Sequence, residues 1–323
     1  MSAAAPAARA ELIEDGGTAV ASSADFFRSP QFLAAEGATH TLRIETAAGG
    51  EILAPLVVRP IGDGPERDAT SPYGYPGVAA PAGVAVDPAT VDFSATGLVS
   101  AFFRHRLGEP PPLTGATPRN VVEVADPALP RKSRPSDRRQ IRRNLEAGYD
   151  LELVPGPETS PAQRAGFVDL YEETMRRTAA AEHYFFGRAY FDAILAAERT
   201  WLALAADPDG ELAAASLATV SDGYLHYYLS GSADARLADS PMKNVVALLV
   251  DHAEELGLPL NLGGGISRGD ALEEFKRGFA NREEQWFTSE VVCDPDAYAR
   301  LSAGRDPGGY FPAYRAEGSS AVP

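Results

Sequence analysis

Only three of the 29 basic residues are lysines, at positions 132, 243 and 276; the other 26 are arginines. Where so arginine-rich a chain keeps a lysine, either the position uses a compact ammonium that a planar guanidinium cannot replace, or the residue is there by chance. Lys276 follows Phe275 in the run Phe275-Lys-Arg-Gly-Phe279. Upstream, Tyr227 and Tyr228 are adjacent in the aromatic run Tyr224–Ser230. Adjacent strand residues face opposite ways, so only one of the two tyrosines can reach a given site, and both could equally be core aromatics. Gly263-Gly-Gly265 follows the apolar run Leu258–Leu262. Such a triplet permits close backbone approach by a substrate or makes a plain flexible turn. Neither a G-x-G-x-x-G spacing nor a P-loop lysine accompanies it, so it does not read as a phosphate loop.

Other chemistries are excluded by what the chain lacks. One cysteine, Cys293, cannot form an internal disulfide or a cysteine-rich zinc site. Its apolar setting, Glu290-Val-Val-Cys293, predicts a buried strand residue rather than a nucleophile. The five histidines show no ligand spacing, so no metal is expected. No apolar run is long enough to cross a bilayer, and the first residues do not form a secretory leader. The Ala-rich first ten residues and the tail from Arg315 read as disordered ends. The net charge of −16 argues against indiscriminate nucleic-acid binding. Residues 131–143, however, hold seven basic residues against one acidic, leaving the rest of the chain at −22. Arg138, Arg139, Arg142 and Arg143 make this a local footprint for a polyanion of defined shape; a solvated linker helix has the same composition.

The elements that must position these residues are sharpest after residue 150. Ser160-Pro161 caps a helix with Phe167, Leu170, Tyr171 and Met175 on one face. A second helix spans roughly 188–199. Strands are predicted at 201–206, 212–220 and 224–230, separated by turns at Asp207–Gly210 and Ser221–Gly223. A helix after Ser240-Pro241 ends near Gly257. A strand over 258–262, a helix capped by Asp270 and Glu273 that carries Phe275 and Phe279, and a strand over 286–293 complete the series. In the first half, Phe26–Leu33 predicts a short helix, 41–46 and 51–58 a hairpin around Gly49-Gly50, 93–107 a helix and 120–124 a strand. The fold class is α/β (α+β) with mixed central sheets. The domain boundaries expected are 10–130, completed by 295–315; a basic linker helix over 131–150; and a catalytic domain over 151–294.

The second-half order is similar to that of the GNAT superfamily core, whose strands on either side of the central helix splay to admit an acyl donor. Here that pair is Tyr224–Ser230 and Leu258–Leu262. Ser71-Pro-Tyr-Gly-Tyr-Pro-Gly77, Arg138–Asn144, Leu170–Arg176, Tyr227–Ser232, Leu262–Gly265 and Phe275–Phe279 occur in an order that resembles the FemAB-type peptidyltransferases. The resemblance spans most of residues 25–290. It implies two tandem GNAT-like domains and an activity that moves an amino acid from aminoacyl-tRNA onto an amine. The long helical hairpin that serves some members as a tRNA-binding arm has no counterpart in this sequence. The resemblance also implies that Lys276 stabilises the reacting carbonyl, that Tyr227 or Tyr228 holds the acceptor or relays a proton, and that Arg176, Arg177 and Tyr184 hold an acidic acceptor. It places Tyr73, Gly264 and Phe275 among the substrate-binding residues and Arg138, Arg139, Arg142 and Arg143 against tRNA. Lys276 as a solvated helix residue, and Arg176 as a surface partner of Glu172, are the structural alternatives.

The acyl donor divides the possibilities. A GNAT enzyme that uses acetyl-CoA opens its central helix with R/Q-x-x-G-x-G/A, whose backbone N–H groups hold the pyrophosphate. This chain opens it with Asp239-Ser-Pro-Met-Lys-Asn244, without glycine. Arg59-Pro-Ile-Gly-Asp-Gly64 matches literally, but no amphipathic helix follows it, and it reads as a loop. The expectation is therefore a cytoplasmic aminoacyltransferase with aminoacyl-tRNA as co-substrate, no bound cofactor, and a peptidoglycan precursor or natural-product intermediate as acceptor. A CoA-dependent N-acetyltransferase and a non-catalytic module on the same fold are the alternatives.

Overall fold

In the computed structural model, residues 8–265, 269–305 and 308–316 are described. In chain order the strands are β1 (Ala8–Ile13), β2 (His40–Thr46), β3 (Glu51–Pro60), β4 (Arg67–Thr70), β5 (Val91–Asp92), β6 (Leu98–Arg104), β7 (Thr117–Ala125), β8 (Asp150–Pro155), β9 (Thr200–Ala206), β10 (Leu212–Ser221), β11 (Tyr224–Ser232), β12 (Leu260–Gly263) and β13 (Arg282–Val292). The helices are α1 (Pro30–Ala35), α2 (Pro135–Ala147), α3 (Pro161–Arg177), α4 (Arg188–Leu195), α5 (Met242–Leu256), α6 (Ala271–Arg277) and α7 (Pro295–Ser302). The chain divides into two units. One comprises residues 1–21, 36–119 and 286–323; the other comprises 22–35 and 120–285.

The first unit is built on a mixed sheet in the order β5-β1-β2-β3-β4-β6-β13, with β13 contributing from Trp286 onward. β1 and β5, and β4 and β6, pair in parallel; the other neighbours are antiparallel. The β2–β3 hairpin turns at Gly49, whose φ of +82° a side chain would resist. Leu42, Ile44, Ile52, Leu56, Leu98, Ala101, Phe103 and Val291 form the core. α7 packs on β6, with Tyr314 donating or accepting a 2.7 Å hydrogen bond at Ser100 Oγ. Asp68, fully buried, is neutralised by Arg59 at 3.1 Å and Arg315 at 2.5 Å.

Three expectations for this unit are corrected. Residues 93–107 do not form a helix: Gly97 at φ +64° breaks the chain and Leu98–Arg104 is strand β6. Its first four residues are all buried, so both faces are covered and the two-residue period that marks a strand is erased. Ala8–Ala10 are ordered within β1, and Arg315 is held by Asp68, so neither stretch is a loose end; residues 1–7 and 317–323 lie outside the described residues. Cys293 follows β13 and is half-buried, with burial pushing its thiol up to about 12, the behaviour of an inert packing residue.

The second unit carries the mixed sheet β7-β12-β11-β10-β9-β8, with β7 contributing from Asn120 onward. β11 and β12 are parallel; their neighbours on either side are antiparallel. Val245, Val246, Leu249, Val250 and Ala253 of α5 cover one face, meeting alanines 203, 205, 214 and 218, whose short side chains let the helix approach closely. α3 covers β10 and β11, and α4 packs beside it. Phe167 and Tyr171 of α3 meet Phe191 of α4 edge-on, each at 5.2 Å. Ser160 and Gln163 complete a reciprocal cap on α3. Ser22–Ala35, grouped by sequence with residues 10–130, belongs here: the buried Arg28 pairs with Asp222 at 2.6 Å and Asp25 at 2.9 Å, pinning Phe26–Arg28 to the β10–β11 turn. The helix carrying Lys276 ends at Arg277, short of Phe279.

Candidate active site

The site is built where β11 and β12 stop pairing. Their parallel ladder consists of Leu225 with Leu260 and His226 with Asn261. Beyond it β11 continues to Ser232, while β12 pairs on its other edge with β7 as far as Gly263 opposite Glu123. This is the opening that the sequence places between Tyr224–Ser230 and Leu258–Leu262. A register shift on the β10 side skips Tyr228, making it the extra residue of a β-bulge. Bulges bend a strand and re-aim side chains, and they recur beside active sites.

The last rung is wired into the turn after it. Asn261 Nδ2 donates to His226 Nδ1 at 3.0 Å, which leaves His226 Nε2 as the donor to Ser221 O at 3.1 Å. Burial lowers the His226 pKa to about 4, so the ring is neutral near pH 7. Asn261 Oδ1 accepts the Gly263 N–H at 2.8 Å. Gly263 adopts φ +77°, and Gly264 O then accepts the Lys276 ammonium at 2.6 Å.

Each glycine of the triplet has a protein neighbour where a side chain would stand. A Cβ would lie 3.1 Å from Lys276 Nζ at Gly263, 2.9 Å from Val121 O at Gly264, and 2.5 Å from an Asp270 carboxylate oxygen at Gly265. The run therefore serves the close approach of β7, α6 and Lys276, a reason that sequence reading did not find.

Lys276 is buried, only 7% exposed. Desolvation lowers its pKa to about 8, while the carboxylates of Asp270 and Glu123 pull the other way. An ammonium has three donors, and Gly264 O uses one. Next to it, Arg277 ties Glu123 of β7, at 3.2 Å, to Glu273 of its own helix. Glu123 and Glu273 are 1% and 2% exposed. Glu273 also accepts the Gly269 N–H at 3.0 Å, and Asp270 caps α6 through the Glu273 N–H.

The two tyrosines face apart. Tyr227 packs on the α5 side and shares a 2.6 Å hydrogen bond with Ser230; burial pushes its hydroxyl to about 12, so it stays protonated and is a poor base. Tyr228 packs edge-on against Phe26 and Phe27, at 5.7 and 5.3 Å, and its hydroxyl meets that of Tyr190 at 3.1 Å. Tyr190 stacks on Phe186 at 4.3 Å. Of the other sequence candidates, Arg177 lies at the end of β11, bonding Ser232 O at 3.1 Å and Asp234. Arg176 is 62% exposed and pairs with Glu172, as a solvated helix residue would. Tyr184 is half-buried in the segment after α3, its carbonyl accepting from Tyr171. Phe275 packs with Phe279 in the core under α5. Tyr73 belongs to the first unit, where the Arg104 guanidinium lies 5.2 Å over its ring. His226, Asn261, Glu123 and Tyr190 were not singled out from sequence. The sequence signal was the polar residue inside each of the strands 120–124, 224–230 and 258–262.

The residues that open the central helix are tied into a polar network with α2 and Tyr149. Asn144 of α2, 2% exposed, donates to Asp239 O at 2.9 Å and to Asn244 Oδ1 at 2.8 Å. Gln140 donates to the same carbonyl at 3.1 Å, Tyr149 to the Asp239 carboxylate at 2.7 Å, and Lys243 pairs with Asp137 at 2.9 Å. The helix start therefore carries a carboxylate and no glycine, unlike a loop that presents bare N–H groups to a pyrophosphate. The outer side of α2 exposes Arg138, Arg139, Arg142 and Arg143, none of which pairs with a carboxylate among the described residues. Arg138 and Arg142, with Arg131 and Lys132, rim a cleft of about 580 Å³ floored by Ile141, Leu145 and Val250.

Among the described residues no cluster of side chains could hold a metal, and no helix is long and apolar enough to cross a membrane. Comparison with known proteins agrees with this architecture. Residues 131–277 match the family described as an acetyltransferase (GNAT) domain. No curated protein sequence matches the chain. Among solved structures, L-PGS from Bacillus licheniformis superposes with a TM-score of 0.55 at 13% identity, covering 82% of this chain and 87% of that one. FemX gives 0.55 at 11% identity over 80% and 90%. The C-terminal domain of a putative lysylphosphatidylglycerol synthetase from Agrobacterium fabrum gives 0.53 at 17% over 84% and 89%. At these identities the likeness is one of fold, shared with FemX and the L-PGS structures, and within it residues 131–277 carry the acyltransferase domain of GNAT type.

Proposed function

We propose that the protein moves an aminoacyl group from aminoacyl-tRNA to an amine, forming an amide. The observation that carries the choice of donor is the start of α5, which has no glycine and carries the Asp239 carboxylate, held by Tyr149, where acetyl-CoA would need bare N–H groups for its pyrophosphate. The outward arginines of α2 support the same reading, since they offer a phosphate-binding surface on an otherwise acidic chain. The resemblance of the sequence to FemAB-type enzymes supports amines of peptidoglycan precursors or natural-product intermediates as acceptors. A charged tRNA donor implies a cytoplasmic reaction.

In this reaction the acceptor nitrogen attacks the ester carbonyl carbon. The C–N bond forms and the carbonyl becomes a tetrahedral oxyanion. The Lys276 ammonium, which among the described residues bonds Gly264 O, meets it with its remaining protons. Collapse breaks the bond to the ribose oxygen of the tRNA 3′ end. The proton lost by the nitrogen passes to that leaving oxygen, through the substrate or through a tyrosine hydroxyl such as that of Tyr228.

The test is transfer from charged tRNA by Lys276→Met. One oxyanion donor contributes roughly 3–4 kcal/mol, so turnover is expected to fall about 100-fold or more. Undiminished turnover would refute the role of Lys276. Tight acetyl-CoA binding by calorimetry would overturn the donor.

A further inference from the structure

The Glu123–Arg277–Glu273 network has no part in the transfer steps described above, yet its two carboxylates are almost fully buried near Lys276. Two carboxylates at 1% and 2% exposure are costly unless neutralised, and a buried ion pair is seldom the cheapest way to hold a fold together. The pairing is specific in position. Glu123 lies on β7 directly opposite Gly263, the residue that begins the turn to which Lys276 is bonded. Arg277 is the next residue after Lys276, and its fork reaches Glu123 on the sheet and Glu273 one turn back on α6.

We propose that Glu123, clamped by Arg277, is a positioning residue that steers the Lys276 ammonium to the Gly263–Gly264 turn. Arg277 sets the orientation of α6 against β7 and takes up part of the Glu123 charge. The remaining field of Glu123, with that of Asp270, draws the Lys276 ammonium toward the turn and away from the apolar side of α6. Among the described residues the charged groups around this pair are Asp270 at the N-cap of α6, Glu273, Glu274 and Arg277 on α6, Glu123 on β7 and Glu283 on β13. Desolvation opposes a charged Lys276; Glu123 and Asp270 favour it. The inference rests on Lys276 being the group that meets the reacting carbonyl.

The low lysine count makes a direct measurement possible. Protein labelled with carbon-13 lysine gives three side-chain Cε signals, for Lys132, Lys243 and Lys276, and Lys276→Met identifies the third. Titration of the free enzyme then reads the ammonium without any substrate. E123Q removes a favourable charge and is expected to lower the Lys276 midpoint by about half a unit or more. R277Q removes a competing cation and releases Glu123, and is expected to raise it. Opposite shifts, with Lys132 and Lys243 unmoved, are the signature of positioning; a scaffold role moves neither. If one variant fails to fold, the sign of the other decides. A folded E123Q or R277Q with an unchanged Lys276 midpoint, or shifts of the same sign in both, overturns the proposal. In the transfer assay E123Q is expected to lower kcat about tenfold with KM unchanged. Inactive wild-type enzyme with the opposite shifts present would sink the transfer reading and leave the coupling intact.

Discussion

Lys276 is held close to the limit at which an ammonium stays charged at neutral pH. Desolvation brings its pKa down to about 8, and Asp270 and Glu123 stop it falling further. The consequence for catalysis has a definite sign. Below about pH 8 the group is charged and able to meet an oxyanion; above it the proton is lost and so is that stabilisation. Transfer is therefore expected to decline with an alkaline limb near pH 8. In Lys276→Arg, whose guanidinium keeps its proton, whatever activity remains should lose that limb. A pH–rate profile of both enzymes checks it, and a limb at the same pH in the arginine variant would assign it to another group. Residue-scale chemistry of this kind was half legible. The scarcity of lysine drew attention to Lys276, but the carboxylate of Glu123 reaches it from β7, more than a hundred positions away in the chain. Arg176 shows the opposite case: a candidate by position that is a solvated partner of Glu172.

At the scale of elements, the site depends on how closely α3 and α5 lie on the sheet. Gly231 of β11 is the tightest approach on the α3 side. A Cβ there would stand 2.5 Å from the backbone carbonyl of Leu170 and 2.6 Å from Tyr171 N, and backbone cannot turn aside as a side chain can. Gly231→Ala is expected to cost about 2 kcal/mol or more of stability and to displace the end of β11 where Arg177 binds Ser232. A chemical denaturation midpoint measures this, and wild-type stability would show that α3 yields more easily than its packing indicates. Much of the second unit could be read in advance because capping residues and turn glycines punctuate it. The first unit was less readable. β6 has no polar alternation because it is covered on both faces, and Phe93–Leu107 consequently imitates a helix.

For the molecule as a whole, charge distribution sets what it can bind. A chain at −22 outside residues 131–143 repels nucleic acid over most of its surface, and the proposed function assigns the contact with tRNA to α2. Binding to tRNA should accordingly weaken steeply with salt. Replacing Arg138, Arg139, Arg142 and Arg143 together with glutamine should flatten the plot of log K against log salt by about one unit for each phosphate that is no longer neutralised. The same slope in wild type and the quadruple variant would remove α2 from the tRNA footprint. The comparison also separates the four arginines from the rest of the basic segment, since Arg131 and Arg134 are already engaged with Asp251 and Glu274.

The sequence by itself determined the order of elements from α3 to β13, the glycine-free start of α5 and the single basic segment. All of these are local, written in the identity and spacing of neighbouring residues. Tertiary structure alone decided that Phe26–Arg28 joins the second unit through Asp222, that a bulge re-aims Tyr228, and that Glu123, Gly263 and Arg277 converge on Lys276. The first and last join residues more than a hundred positions apart, and the bulge depends on the register of β10 against β11. A carboxylate inside an apolar strand shows that something must neutralise it, and only the folded chain shows which cation does so.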